Sequence, residues 1–194
     1  MSRFSDWLGK TFKGKRIALL GLVSSGKTQF LSSLGCKDAS PGTPSNKEVY
    51  RWFKVSYPDK SIFVKAGCDY GGAKDIFTHT FNEALHKSDW VFFFVDIQKF
   101  IQDQADLEIG ESYRSLVLQR LEYINSHVPA VYKDKLAIVL THVDLMDDSE
   151  SVLIRAFRSY THDKVYSVLT RHCYPVNAKD VSQVKNVFRR VSGI

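Results

Sequence analysis

The sequence predicts an α/β fold built on a mostly parallel sheet. Strand-like and helix-like segments alternate along the chain, the pattern that layers helices against such a sheet. A glycine loop stands between the first strand and the first helix, near the N-terminus. The length of 194 residues, 44% of them hydrophobic and 25% charged, suits one folded domain around a single core.

The elements follow in order. Arg16 to Leu20 is a short apolar strand. It runs through the glycine loop into a helix over Lys27 to Leu34, which Gly35 can terminate. Asp38 to Ser45 is rich in Pro, Gly and Ser and reads as a loop. Glu48 to Tyr57 and Ser61 to Ala66 are two strands joined as a hairpin at Pro58-Asp59-Lys60. A glycine-bearing turn, Asp69 to Gly72, leads into a helix through Leu85. Trp90 to Val95 is a buried strand. Ser112 to Ser126 is a helix with Val117, Leu121, Ile124 and Val128 at helical spacing, and Leu136 to Leu140 is another buried strand. Glu150 to Leu169 is mainly helical, and Cys173 to Val176 is the last strand. A final helix carries Val181, Val184, Val187, Phe188 and Val191 on one core-facing side. Between Asp96 and Tyr113 lies an acidic stretch, Asp103 to Glu111, read as a solvated loop or, less simply, a partner-docking insert.

Several function classes drop out. The longest apolar run, Trp90 to Val95, is too short to span a bilayer. The opening MSRFSDWLGK has no apolar core and no small-residue cleavage site, so a secretory signal is not expected. Cys36, Cys68 and Cys173 cannot all pair within the chain and fit no zinc spacing, which points to thiols in a reducing cytoplasm. The net charge of +6 gathers partly at Lys10, Lys13, Lys15 and Arg16, and again at Lys185, Arg189 and Arg190. Such charge suits an acidic membrane, a polyphosphate ligand or an ordinary basic surface. No RNA-recognition sequence, basic zipper or zinc finger accompanies it, so a nucleic-acid partner is not expected. No serine sits in a Gly-x-Ser-x-Gly elbow, and His162, His172 and Cys173 lack metal-ligand spacing.

Gly21-Leu22-Val23-Ser24-Ser25-Gly26-Lys27-Thr28 matches the P-loop pattern in full. Its glycines let the backbone curl until successive N–H groups point at phosphate oxygens. The helix opening at Lys27 adds its positive end. Lys27 supplies a point charge for the terminal phosphates, and Thr28 a hydroxyl ligand for Mg²⁺. Gln29 follows as a further nucleotide-binding candidate.

Later residues refine the ligand. Asp69 ends a strand and can support the Mg²⁺ shell, while the N–H of Gly72 can sense a γ-phosphate. Thr43, in the preceding loop, can reach Mg²⁺ only when that phosphate is present. Thr141-His142-Val143-Asp144 follows a buried strand and puts a carboxylate where guanine N1 and N2 can donate to it. In Asn177-Ala178-Lys179, the Ala178 N–H can meet guanine O6.

These motifs, in this order, resemble the Ras-like small GTPases. The Arf-like branch is the nearest, on Asp69-Tyr70-Gly71-Gly72 and on the N-terminal run Phe4, Trp7, Leu8, Phe12. The resemblance implies a three-layer P-loop NTPase, a Ras-like G domain with a six-stranded, mostly parallel sheet containing one antiparallel strand. It further implies Mg²⁺ with GTP or GDP as ligand, and switch loops read by protein effectors or regulators. Residues 1–15 then form an amphipathic basic segment and 16–194 the G domain.

Three departures stand out. Ala73 takes the place of the glutamine that orients the attacking water, so intrinsic hydrolysis is expected to be slow or partner-dependent. His142 stands where the pattern has lysine, and either stacks on the purine less extensively or is an exposed loop residue. Ser2 removes the myristoylation signal, so Phe4, Trp7, Leu8 and Phe12 either pack on the domain or lie peripherally on a membrane. Two other readings stand beside a slow GTPase: a pseudo-GTPase module that holds nucleotide without turnover, and a P-loop ATPase with Asp96 as its Walker B carboxylate.

Overall fold

The computed structural model describes residues 14–37, 39, 48–69, 82–83, 86–104, 110–127, 135–161 and 172–193. Its main sheet has six strands in the order β2-β5-β1-β6-β7-β8. These are β1 (Ile17–Gly21), β2 (Glu48–Tyr50), β5 (Gly67–Asp69), β6 (Trp90–Asp96), β7 (Leu136–Thr141) and β8 (Cys173–Pro175). Five run parallel, and β2 pairs antiparallel with β5. The expected sheet is therefore present.

The central strands are apolar on both faces because both faces are covered. All five residues of β1 and all six of β7 are buried. On one side, Leu19, Phe92, Phe94 and Val139 pack with Phe30 and Leu31 of α1 (Lys27–Ser33) and with Val184 and Phe188 of α5 (Val181–Val191). The Phe92 and Phe188 rings stack at 5.9 Å, and Phe30 meets Phe94 edge-on at 5.1 Å. On the other side, Leu20, Phe93, Ile138 and Leu140 pack with α2 (Ile97–Gln102), α3 (Tyr113–His127) and α4 (Glu150–Thr161) through Phe100, Val117, Leu121 and Phe157. Three layers result.

The expected single strand Glu48 to Tyr57 is divided. Its first part is β2; its second, β3 (Phe53–Ser56), pairs with β4 (Ser61–Val64) in a separate two-stranded sheet. The hairpin's inward residues Phe53, Val55, Ile62 and Val64 join the core on the α1/α5 face. The pairing register is unbroken across the gap, from Tyr50↔Gly67 to Phe53↔Val64, and Lys15 bridges Val64, so the hairpin continues the β2–β5 ladder past the start of β1. Its far end docks on α5, where Tyr57 Oη donates to Lys185 O at 2.9 Å and Arg189 pairs with Asp59 at 2.8 Å. Partial burial there pushes the Tyr57 phenol up to about 12, against a lowering pull from Arg189.

The structure adds α2, a helix not anticipated from the sequence. The Asp96 carboxylate caps its start by accepting from Lys99 N at 3.1 Å. Arg114 satisfies its end by donating to Phe100 O at 2.9 Å and Ile101 O at 2.7 Å. The loop 38–45 (apart from residue 39), the helix expected before Leu85 (apart from 82–83) and the stretch 162–169 lie outside the described residues. So do residues 1–13 and 105–109.

Candidate functional site

The site forms where β1, β6 and β7 end, the edge at which open α/β sheets hold ligands. The P-loop leaves β1 at Gly21, with φ at +145°. A methyl on Gly21 would lie 2.5 Å from the Phe94 carbonyl oxygen, so only glycine fits beside β6. Gly26, with φ at +86°, caps α1, and its outer side faces the Thr141 methyl, which an added Cβ would meet at 3.2 Å. The loop thus passes between two strand ends with glycine at both points of close approach.

Lys27 is 5% exposed and folds back over this loop. Its Nζ donates to Leu22 O at 2.8 Å and to Gly21 O at 3.3 Å. Those carbonyls point the ammonium into the loop, where phosphate charge would be received. Thr28 is buried in the first turn of the same helix, with Gln29 half-buried beyond it. Ser24 sits in the left-handed region at φ +58° and is exposed at the loop's tip.

The base-side motifs are fastened to the P-loop. Thr141 is fully buried at the end of β7, and its hydroxyl donates to Ser25 O at 2.9 Å. Ala178 is also buried, and its carbonyl accepts from Ser33 Oγ of α1 at 2.6 Å. The turn around it is self-braced: Asn177 Oδ1 accepts from Lys179 N at 2.9 Å, and Asn177 O from Asp180 N at 2.9 Å. Lys179 Nζ reaches 3.9 Å from Asp144 Oδ2, bringing together the two segments expected to read a base. Thr141, His142, Asp144, Asn177, Ala178 and Lys179 therefore gather on the loop side that α1 borders.

Other expected residues are not described at this level. Thr43, Gly72 and Ala73 lie outside the described residues. Asp69 ends β5 in register with Leu19 of β1, and its side chain is likewise outside the description.

One contributor escaped the sequence reading, and a second, Asp96, was read there only as a strand end or a Walker B carboxylate. Ser33 lies 145 residues from Ala178 and carries no motif of its own. Asp96 does more than end a strand: its Oδ2 stands 3.0 Å from His142 Nδ1 while Oδ1 caps α2. Each carboxylate oxygen thus has a contact within the protein.

Comparison with solved structures finds the same fold. Over 93% of this chain and 96% of the other, the protein is similar to the Arl6 BBS3 small GTPase from Trypanosoma brucei, whose structure holds the nucleotide analogue GppNp. The TM-score is 0.56 and the identity 15%. It is also similar to the bacterial selenocysteine-specific elongation factor EF-Sec, with a TM-score of 0.59 and 14% identity. There 94% of this chain matches 29% of the other, so the likeness is to one part of that factor. No protein-family model matches the chain, and no curated protein sequence matches it. The fold is that of the Ras-like GTPases. Among the described residues, no helix is long and apolar enough to cross a membrane.

Proposed function

We propose that the protein is a Mg²⁺-dependent guanine-nucleotide switch with slow or partner-dependent GTP hydrolysis. The observation that carries this reading is the convergence of a full P-loop with two base-side segments, joined through Thr141 to Ser25 O and Ser33 to Ala178 O. The backbone amides of residues 21–27 and the Lys27 ammonium bind the phosphates. Asp144 accepts from the guanine edge, and the Ala178 N–H donates to O6. Lys179 closes over the same side.

The buried Thr28 hydroxyl beside Lys27 is a hard oxygen donor of the kind Mg²⁺ takes, so the residues present fit that ion. Thr28 would hold it, with Thr43 added in the triphosphate state and Asp69 supporting the shell. The ion would neutralise charge on the terminal phosphates. Switch loops containing Thr43 and Gly72 would then present a γ-phosphate-dependent surface to effectors or regulators. The N-terminal segment 1–15 would pack on the domain or add a peripheral membrane contact.

Ala73 supports the slow end of this range, because alanine cannot orient a water. It also favours a second reading, a module that retains nucleotide without turning it over. Equilibrium binding of labelled GTP, GDP and ATP with Mg²⁺ tests the main proposal. Guanine nucleotides are expected to bind and ATP not; failure to take up either guanine nucleotide would overturn it. Single-turnover hydrolysis then separates the two readings, since complete retention of GTP supports the inert module. Ala73→Gln is expected to raise the rate, and no rise would count against the role assigned to position 73.

A further inference from the structure

We propose that Asp96 is a positioning residue for purine recognition, fixing the His142 imidazole as a flat platform beside the P-loop. The inference rests on the guanine-nucleotide reading and deepens it. His142 holds a left-handed backbone, φ +59° and ψ +27°, at the turn between β7 and Asp144. Its ring is 31% exposed, whereas the Asp96 side chain is 5% exposed, and Nδ1 stands 3.0 Å from Oδ2.

Asp96 is itself held firmly. Its Oδ1 accepts from Lys99 N at 3.1 Å, and its own N–H donates to the Tyr113 hydroxyl at 2.8 Å. A carboxylate oxygen at this distance can only accept, so it favours the form of the ring that carries a hydrogen on Nδ1. Thr141 Oγ1 is 3.4 Å from the same Nδ1, but its hydrogen is directed to Ser25 O at 2.9 Å. The buried carboxylate therefore braces the partly exposed ring at Nδ1. An imidazole has two side-chain torsions where lysine has four. One anchored at Nδ1 loses little further freedom when a base lies on it. The adjoining residue, Thr141, is pinned to the P-loop, so platform and phosphate cradle share one rigid frame.

Asp96→Asn separates this role from a structural one. Asparagine is a good helix cap and can keep its oxygen on Lys99 N–H. Its NH₂ then faces His142 Nδ1, which must become an acceptor, moving the hydrogen to Nε2. Nitrogen NMR of labelled histidine should show Nδ1–H in the parent protein and Nε2–H in the variant. Binding of fluorescent GDP with Mg²⁺ gives the second readout. His142→Ala should weaken it roughly tenfold, within the range for removing a base-stacking ring. Asp96→Asn should weaken it about threefold, and should add nothing in the His142→Ala background.

Equal weakening by Asp96→Asn in both backgrounds would overturn the inference, because Asp96 would then act through the fold and not through His142. So would unchanged binding in both single variants, or an Nε2–H tautomer in the parent. Absence of guanine-nucleotide binding by the parent protein would instead sink the underlying reading.

Discussion

Thr141→Val tests whether the base-side loop truly secures the phosphate loop. The two side chains have nearly the same shape, so the methyl contact with Gly26 is kept and no cavity opens. What is lost is the hydroxyl that donates to Ser25 O at 2.9 Å. Thr141 and Ser25 are both fully buried, so water cannot replace it. An unsatisfied buried acceptor costs about 1–3 kcal/mol. In a domain of this size, about 2 kcal/mol lowers Tm by roughly 4–8 °C. The freed loop should also release nucleotide faster, on the order of tenfold, which is about 1.4 kcal/mol. Urea unfolding measures the first quantity and stopped-flow release of fluorescent GDP the second. Thr141→Ser keeps the hydroxyl and should release nucleotide at close to the parent rate. A valine variant within about 0.5 kcal/mol of the parent, with unchanged release, would refute the reasoning, because surface-like neutrality is not available to a buried donor.

Gly21→Ala forces a methyl to 2.5 Å from the Phe94 carbonyl at φ +145°, and is expected to cost at least about 2 kcal/mol in urea unfolding and to abolish nucleotide binding. Gly110→Ala is the control, since φ is +70° there but nothing lies within 4 Å; it should cost about 1 kcal/mol and leave binding intact. Burial pushes the Cys173 thiol up from 9.0 to about 12, with Arg158 pulling the other way. The folded state thus holds this proton more tightly than the unfolded chain, so the contribution is complete below pH 9 and is lost as pH rises toward 12. The parent should lose up to about 1.4 kcal/mol per pH unit in that window beyond what Cys173→Ala loses. Parallel slopes for the two proteins in alkaline urea titrations would contradict the assigned burial.

Much of the fold was legible because its determinants are local. The apolar runs of β6 and β7 can only be strands covered on both faces, and α1 starts at a glycine-rich loop and stops at Gly35, whose φ is +97°. The valines and Phe188 of α5 repeat at helical spacing, and Val184, Val187 and Phe188 are the residues buried. The P-loop was legible for the same reason, since eight consecutive residues encode its curl. Other features are not local. The break between Tyr50 and Phe53 interrupts a ladder whose register is the same on both sides, and no local pattern announces it. The short helix after Asp96 depends on Arg114, which closes its C-terminal end from α3.

The chain by itself determined which residues could bind phosphate and where the strands and helices would run, because glycine freedom and apolar period act over a few neighbours. Only the tertiary structure decided the alliances: Thr141 with Ser25 across 116 positions, Ser33 with Ala178 across 145, and Asp96 with His142 at the ends of adjacent strands. Those contacts depend on strand order and register, which place Asp96 level with Thr141, and no local pattern specifies which strand ends will meet.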